Sequence, residues 1–319
     1  MELTQKIRQT DIEPHMSALQ GWLRNNITGM YAGRKRKNGK KTEQWAIVMH
    51  VQQKKSPDRL ALDGDTPIPP YFELPISISG GKTEMVKVPT DVVEVGAFVT
   101  KQMPQPMVST DRVRPAPGGY QIQAQGCPLV GTLGGSITIN NQYRMLSNNH
   151  ILSWNGQFTH IFQPDARDPQ NALADVSGFV NMVTYPTSNQ QNPVYNQTDL
   201  AWCNVTQEQC APQIQGIGVP VGFAAPAVNM QVRCFGASTD EVIQATIESI
   251  QFRTISMMLN NQYAWFQNCL LLEGEDFFPL AGDSGALLIN NNMQIVGILA
   301  GWNAIAGPWG CLIPTQLIQ

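Results

Sequence analysis

Three side chains in this sequence have types and surroundings suited to breaking an acyl bond. Ser284 lies in Ala281-Gly282-Asp283-Ser284-Gly285-Ala286, a string of small residues. Glycines on either side let the backbone turn tightly, present the hydroxyl to a cleft and aim N–H groups at a ligand. The Gly282 and Ser284 N–H groups would then form an oxyanion hole. Serine is a weak nucleophile near neutral pH and needs a base. His150 follows an apolar run and three small polar residues in Met145-Leu146-Ser147-Asn148-Asn149-His150. Asp199 precedes an alternating apolar run in Gln197-Thr198-Asp199-Leu200-Ala201-Trp202. The histidine would take the serine's proton; the aspartate would fix its tautomer and stabilise the imidazolium. A rival carboxylate, Asp175, stands only 25 residues beyond His150.

Other chemistries fit less well. Asp283-Ser284-Gly285 is also a D-S-G triplet, but paired-aspartate chemistry needs two carboxylates sharing a proton. The chain has no second triplet, so that route would require a dimer. A third reading is non-enzymatic: a latent scaffold or peptide-binding module. The six cysteines, Cys127, Cys203, Cys210, Cys234, Cys269 and Cys311, form no CxxC pair and have no histidine at zinc spacing. They read as buried free thiols, and neither a metal nor an organic cofactor is expected. His15, His50 and His160 are scattered, and His160 and Cys269 read as structural.

The elements that must position these groups fall into two differently composed parts. The 319 residues are 42% hydrophobic and 14% charged, which excludes disorder and leaves ample core material. No apolar run approaches the ~18–20 residues of a membrane span. The N-terminal sequence has no apolar signal-like stretch, so a cytoplasmic protein is expected. Residues 1–110 carry 15 Lys+Arg against 11 Asp+Glu, whereas the remainder carries 6 against 13, with Lys101 the last lysine. Apolar spacing from Ile12 to Ile27 predicts an amphipathic helix over Asp11–Asn25, opened by Thr10-Asp11-Ile12-Glu13 as a capping box. Asn38-Gly39 predicts a hairpin between strands Ile27–Lys37 and Lys40–Val51. Its basic tip lacks interleaved aromatics and reads as a solvated end, so nucleic-acid binding is not expected. Ser56–Gly81 reads as irregular, Val86–Phe98 as a strand, and the Pro- and Gly-rich Gln102–Gly119 as a linker. Short apolar runs then alternate with Gly, Asn and Pro turns, which indicates an all-β barrel or sandwich.

The order His150, Asp199, Ser284 on such a chain resembles the chymotrypsin-like (trypsin-like) serine peptidases. Asp199-Leu200-Ala201 matches their D-[LI]-A pattern and Gly282-Asp283-Ser284-Gly285 their G-D-S-G. Arg114–Gly119, Gly131-Thr132-Leu133-Gly134 and Leu146–His150 resemble a bacterial branch related to the plant narrow-leaf peptidases, as do Ile27-Thr28-Gly29 and Pro89–Gly96. The resemblance implies an all-β double β-barrel preceded by a small α+β N-terminal domain. The division would be 1–105 and 106–319, with barrels at about 118–206 and 228–319. It implies a serine endopeptidase acting on protein or peptide substrates. For the N-terminal module three roles stand open: homo-oligomer contacts, recruitment of a substrate or partner, or occlusion of the cleft until it is removed. The Ile295–Gly301 strand would line the substrate cleft through Ala300 and Gly301, and Phe278 would set the primary pocket. Ile151 replaces the disulfide-bonded cysteine of secreted members. No basic residue precedes an Ile-Val-Gly-Gly string, so Asp283 is expected to find a partner other than a cleaved N-terminus.

Overall fold

Asn38-Gly39 turns the chain as its dipeptide predicts: both residues have positive φ, 52° and 77°, the combination a two-residue hairpin turn demands. The turn joins β1 (Ile27–Lys37) to β2 (Lys40–Val51), with Lys37 paired to Lys40. These elements belong to a computed structural model that describes residues 7–77, 82–96, 98–99, 111–274, 279–303 and 305–314. Strand makes up 48% of the protein and helix 11%, so it is mostly β.

Several N-terminal expectations change. The helix expected over Asp11–Asn25 is a four-residue α-helix, Gln9–Ile12, followed by a 3₁₀ helix, Glu13–Trp22. The capping box sits two residues earlier than expected: Asp11 reaches back to the Arg8 N–H at 2.9 Å. Ile12, Met16 and Leu19 still point inward, so the apolar stripe survives the tighter winding. Ser56–Gly81 is not irregular throughout. It holds a helix, Pro57–Asp63, and β3 (Tyr71–Ser77), whose alternate residues Leu74 and Ile76 are buried. The strand expected over Val86–Phe98 is β4 (Thr83–Glu94), which starts three residues earlier, stops at Glu94 and pairs antiparallel with β3 and parallel with β2. β5 (Phe98–Val99) follows.

The expected linker is a strand at its far end. Residues 100–110, including the 105/106 boundary, lie outside the described residues. Ala116–Gly118 is a buried strand, β6. Next come β7 (Gln121–Ala124), β8 (Gly131–Thr132), β9 (Gly135–Ile139) and β10 (Gln142–Ser147). They are followed by β11 (His160–Phe162), β12 (Ala172–Asp175), β13 (Gly178–Phe179), β14 (Tyr195–Asn196), β15 (Ala201–Asn204) and β16 (Cys210–Ile214). β13-β15-β10-β9 and β12-β11-β7-β8 form two four-stranded sheets, and β16 pairs with β6.

The remaining strands are β17 (Gly222–Phe223), β18 (Gln231–Phe235), β19 (Val242–Met257), β20 (Tyr263–Glu273), β21 (Leu287–Asn290), β22 (Gln294–Asn303) and β23 (Gly307–Cys311). They join one sheet with the N-terminal hairpin, because β1 pairs antiparallel with β19 at Gly29↔Thr254. Trp265 and Ile255 from this region share a core cluster with Met30, Ile47 and Met49. The basic hairpin tip is not a freely solvated end: Arg36 pairs with Glu273 at 3.1 Å, and Lys41 pairs with Glu248 at 3.0 Å and also contacts Glu273.

Candidate active site

Strand register brings the histidine and aspartate together. β10 runs antiparallel to β15 with Ser147 opposite Ala201. Three residues past one strand's end and two residues before the other's start therefore fall at the same edge. There His150, in the short helix Asn149–Leu152, meets Asp199. Asp199 Oδ1 accepts from the His150 main-chain N–H at 3.0 Å, and Oδ2 is bonded to ring Nδ1. The imidazole is 1% exposed and the carboxylate 0%. Nδ1 is thereby occupied on the carboxylate side, leaving Nε2 as the ring nitrogen able to act elsewhere.

The small polar residues before the histidine hold this corner. Asn148 Nδ2 donates to the Asp199 carbonyl at 2.8 Å, and Asn149 Nδ2 donates to the Val180 carbonyl at 2.9 Å. Thr198 Oγ1 donates to the Leu312 carbonyl at 2.7 Å, which ties the aspartate's loop to the segment after β23.

Ser284 enters from the turn before β21 and is half-buried. Thr132 of β8 stitches that turn to the histidine's side. Its N–H donates to the Ser284 carbonyl and its hydroxyl to the Gly282 carbonyl, each at 2.8 Å, while its own carbonyl accepts from Ser147 Oγ at 2.7 Å. The packing explains Gly285. Its φ is +100°, and a Cβ there would stand 2.1 Å from Ser147 Oγ. Asp283, fully buried, accepts from the N–H groups of Ser238, Thr239 and Leu280 at 2.8, 3.0 and 2.7 Å and from the Thr239 hydroxyl. Its partner is therefore the Ser238-Thr239 turn. Burial pushes its carboxyl above the usual range, and the four donors pull the other way.

His150, Gly282, Ser284, Gly301 and Trp302 line one narrow pocket, together with Leu129, Val130 and Leu280. Among the described residues, no hydrogen bond joins the Ser284 hydroxyl to the imidazole. Such contacts often tighten only when substrate is bound. The Gly282 and Ser284 N–H groups likewise show no acceptor among the described residues.

The remaining expected site residues divide. Gly301 lines the pocket, whereas Ala300 is buried in the core and does not. Phe278 lies outside the described residues. Asp175 contacts His160, not His150, with Nδ1 and Oδ1 2.6 Å apart at the surface. Sequence reasoning missed Thr132, whose only signal was its place between glycines in Gly131-Thr132-Leu133-Gly134. It also missed Trp302, which nothing in its immediate sequence marked. All six cysteines are free and buried. Burial raises the Cys127 thiol to about 11 and the Cys210 thiol to about 12, so neither offers a ready thiolate. Larger cavities lie elsewhere; one of about 320 Å³ beside Trp22, Ile27, Val51 and Leu60 shares no residue with this site.

No family model and no curated protein matches the chain. Among solved structures it is similar to Thermobifida fusca protease A, at 16% identity and a TM-score of 0.41 over 63% of this chain and 92% of that one. A Nocardiopsis protease gives 14%, 0.41, 63% and 94%, and a Cellulomonas bogoriensis chymotrypsin 18%, 0.40, 64% and 93%. At these values the likeness assigns no residues.

Proposed function

We propose that this protein is a serine endopeptidase of chymotrypsin-like type. Ser284 attacks the scissile carbonyl, His150 serves as base and then as acid, and Asp199 orients the imidazole. The carrying observation is the double hold of Asp199 on His150, at its peptide N–H and its ring Nδ1, inside a pocket that Ser284 also lines. That arrangement fixes one tautomer and one ring orientation, which a structural histidine does not need. The Gly282 and Ser284 N–H groups stabilise the tetrahedral oxyanion, and Gly301 and Trp302 form the substrate's wall. The acyl-enzyme then reacts with water, His150 returning the proton. The scheme draws on no metal or organic cofactor; the substrates are proteins or peptides. Six buried thiols without a disulfide fit a reducing, cytoplasmic setting. The N-terminal sheet, joined through β1 and β19, is the surface we assign to any homo-oligomer.

The test is active-site labelling with a fluorophosphonate. Wild type should label at Ser284. Ser284→Ala should lose the label and about 10⁴–10⁶ in kcat on a peptide substrate. Full activity in Ser284→Ala would remove the serine from the mechanism and leave the peptide-binding scaffold as the surviving reading.

A further inference from the structure

Among the described residues, the flank of β22 beside Ser284 is only partly covered. β23 takes one side of the strand from Ile298 to Asn303. On the other side β21 covers Ile295 to Ile298, and the Gly285 N–H donates to the Leu299 carbonyl at 3.0 Å. Past that point, among the described residues, no strand pairs with this flank at Ala300 or Gly301. The next position, Trp302, is taken by Val99 of β5 in antiparallel pairing. Gly301 and Trp302 both line the pocket with His150 and Ser284. An extended peptide gains backbone hydrogen bonds by adding to a sheet edge.

The polypeptide leading into β5 is anchored at the same place. Asn303 Nδ2 donates to the Val95 carbonyl at 2.8 Å, and the Val95 N–H donates to the Val51 carbonyl at 2.8 Å. Val95 is 4% exposed, in the core cluster that holds Ile298 and Ala300. β5 also pairs parallel with β19 at Ser256 and Met257. It runs antiparallel to β22, with Val99 opposite Trp302. Phe98–Val99 thus pairs at the outer end of that flank.

We propose that Phe98–Val99 is a built-in competitor for the strand edge beside Ser284, which rests on the peptidase reading above. A peptide whose backbone pairs with Trp302 must displace Val99 from that position, whereas a ligand that makes no strand pairing there need not. If β5 is displaced in about one molecule in ten, long peptides bind about tenfold more weakly than the bare edge would allow. The N-terminal region then sets a length-dependent threshold for substrate entry.

The test uses the full chain and two aldehydes, acetyl-leucinal and acetyl-Ala-Ala-Ala-leucinal, on wild type and Val99→Pro. Proline removes the N–H and disfavours strand pairing at that position. The longer aldehyde should gain about tenfold in potency in Val99→Pro and the shorter one less than twofold. Equal gains, or none, overturn the proposal. A second measurement needs no variant: bound acetyl-Ala-Ala-Ala-leucinal should speed hydrogen exchange at residues 98–99 in wild type, and acetyl-leucinal should not. Unchanged exchange under the saturating long aldehyde overturns the proposal even if Val99→Pro fails to fold. Fluorophosphonate labelling separates the two claims. Labelled Ser284 with no length dependence sinks this inference alone, and no labelling sinks the peptidase reading with it.

Discussion

His150–Asp199 and His160–Asp175 both join a ring Nδ1 to a carboxylate oxygen, yet they differ in everything around that contact. The first pair is sealed in, at 1% and 0% exposure, whereas the second is 59% and 76% exposed. Asp199 also holds the His150 peptide N–H, and Asn148 holds the Asp199 carbonyl. A surface contact of the second kind is worth about 0–1 kcal/mol, because water competes for both partners and salt screens them. The comparison teaches that a histidine–carboxylate contact is not by itself a catalytic feature. What separates the two pairs is burial, a second fixed bond and a hydroxyl sharing the pocket.

Four experiments press on that contrast. Asp199→Asn carries the largest expected effect, a fall of about 10⁴ in kcat with the fold retained, read by steady-state kinetics and circular dichroism. A loss under tenfold would make the buried pair no more catalytic than the exposed one. Asp283→Ala comes next. It strips the acceptor from three N–H groups, one buried and two partly buried, and should cost about 2–3 kcal/mol, measured as a drop in urea midpoint. Fluorophosphonate labelling at Ser284 should weaken with it, since the turn loses its anchor.

His50 gives a third histidine to compare, buried edge-on to the Tyr31 and Phe252 rings. Burial, with Arg36 adding repulsion, lowers its pKa to about 3. The unfolded chain binds that proton near pH ~6.5, so between these values the unfolded state holds more protons. Stability should therefore be fully present above pH ~6.5 and fall on acidification toward about 3. At pH 4.5 the loss from this group is about 2–3 kcal/mol, and His50→Gln should flatten that limb in urea titrations. The smallest expected effect is Asp175→Asn, which should change kcat/KM less than twofold and stability by less than about 0.5 kcal/mol. A larger kinetic effect would erase the distinction between the two pairs.

The N-terminal elements show where one-dimensional reading runs out. The Asn38-Gly39 hairpin was legible to the residue, because a two-residue turn with positive φ at both positions is a local property. The Glu13–Trp22 segment was legible as an inward apolar stripe but not as a 3₁₀ helix, since the same stripe suits either winding. Ala116–Gly118 looked like linker by composition and proved to be a buried strand, because its parallel partner, Cys210–Ile214, lies far along the chain. The basic hairpin tip looked solvated for the same reason: Glu248 and Glu273, its ion-pair partners, are more than 200 residues away.

The sequence alone determined the chemistry available: a hydroxyl, an imidazole and a carboxylate, each in a motif of small or alternating residues, and a mostly β chain to carry them. Those are properties of residue type and short spacing, which local sterics and hydrophobic patterning dictate. Tertiary structure alone decided that Asp199 holds both the His150 ring and its peptide N–H, that Thr132 stitches the serine turn to the histidine side, and that β5 reaches the edge of β22. Such choices depend on register and contacts between distant segments, whose energies exist only once the chain is packed.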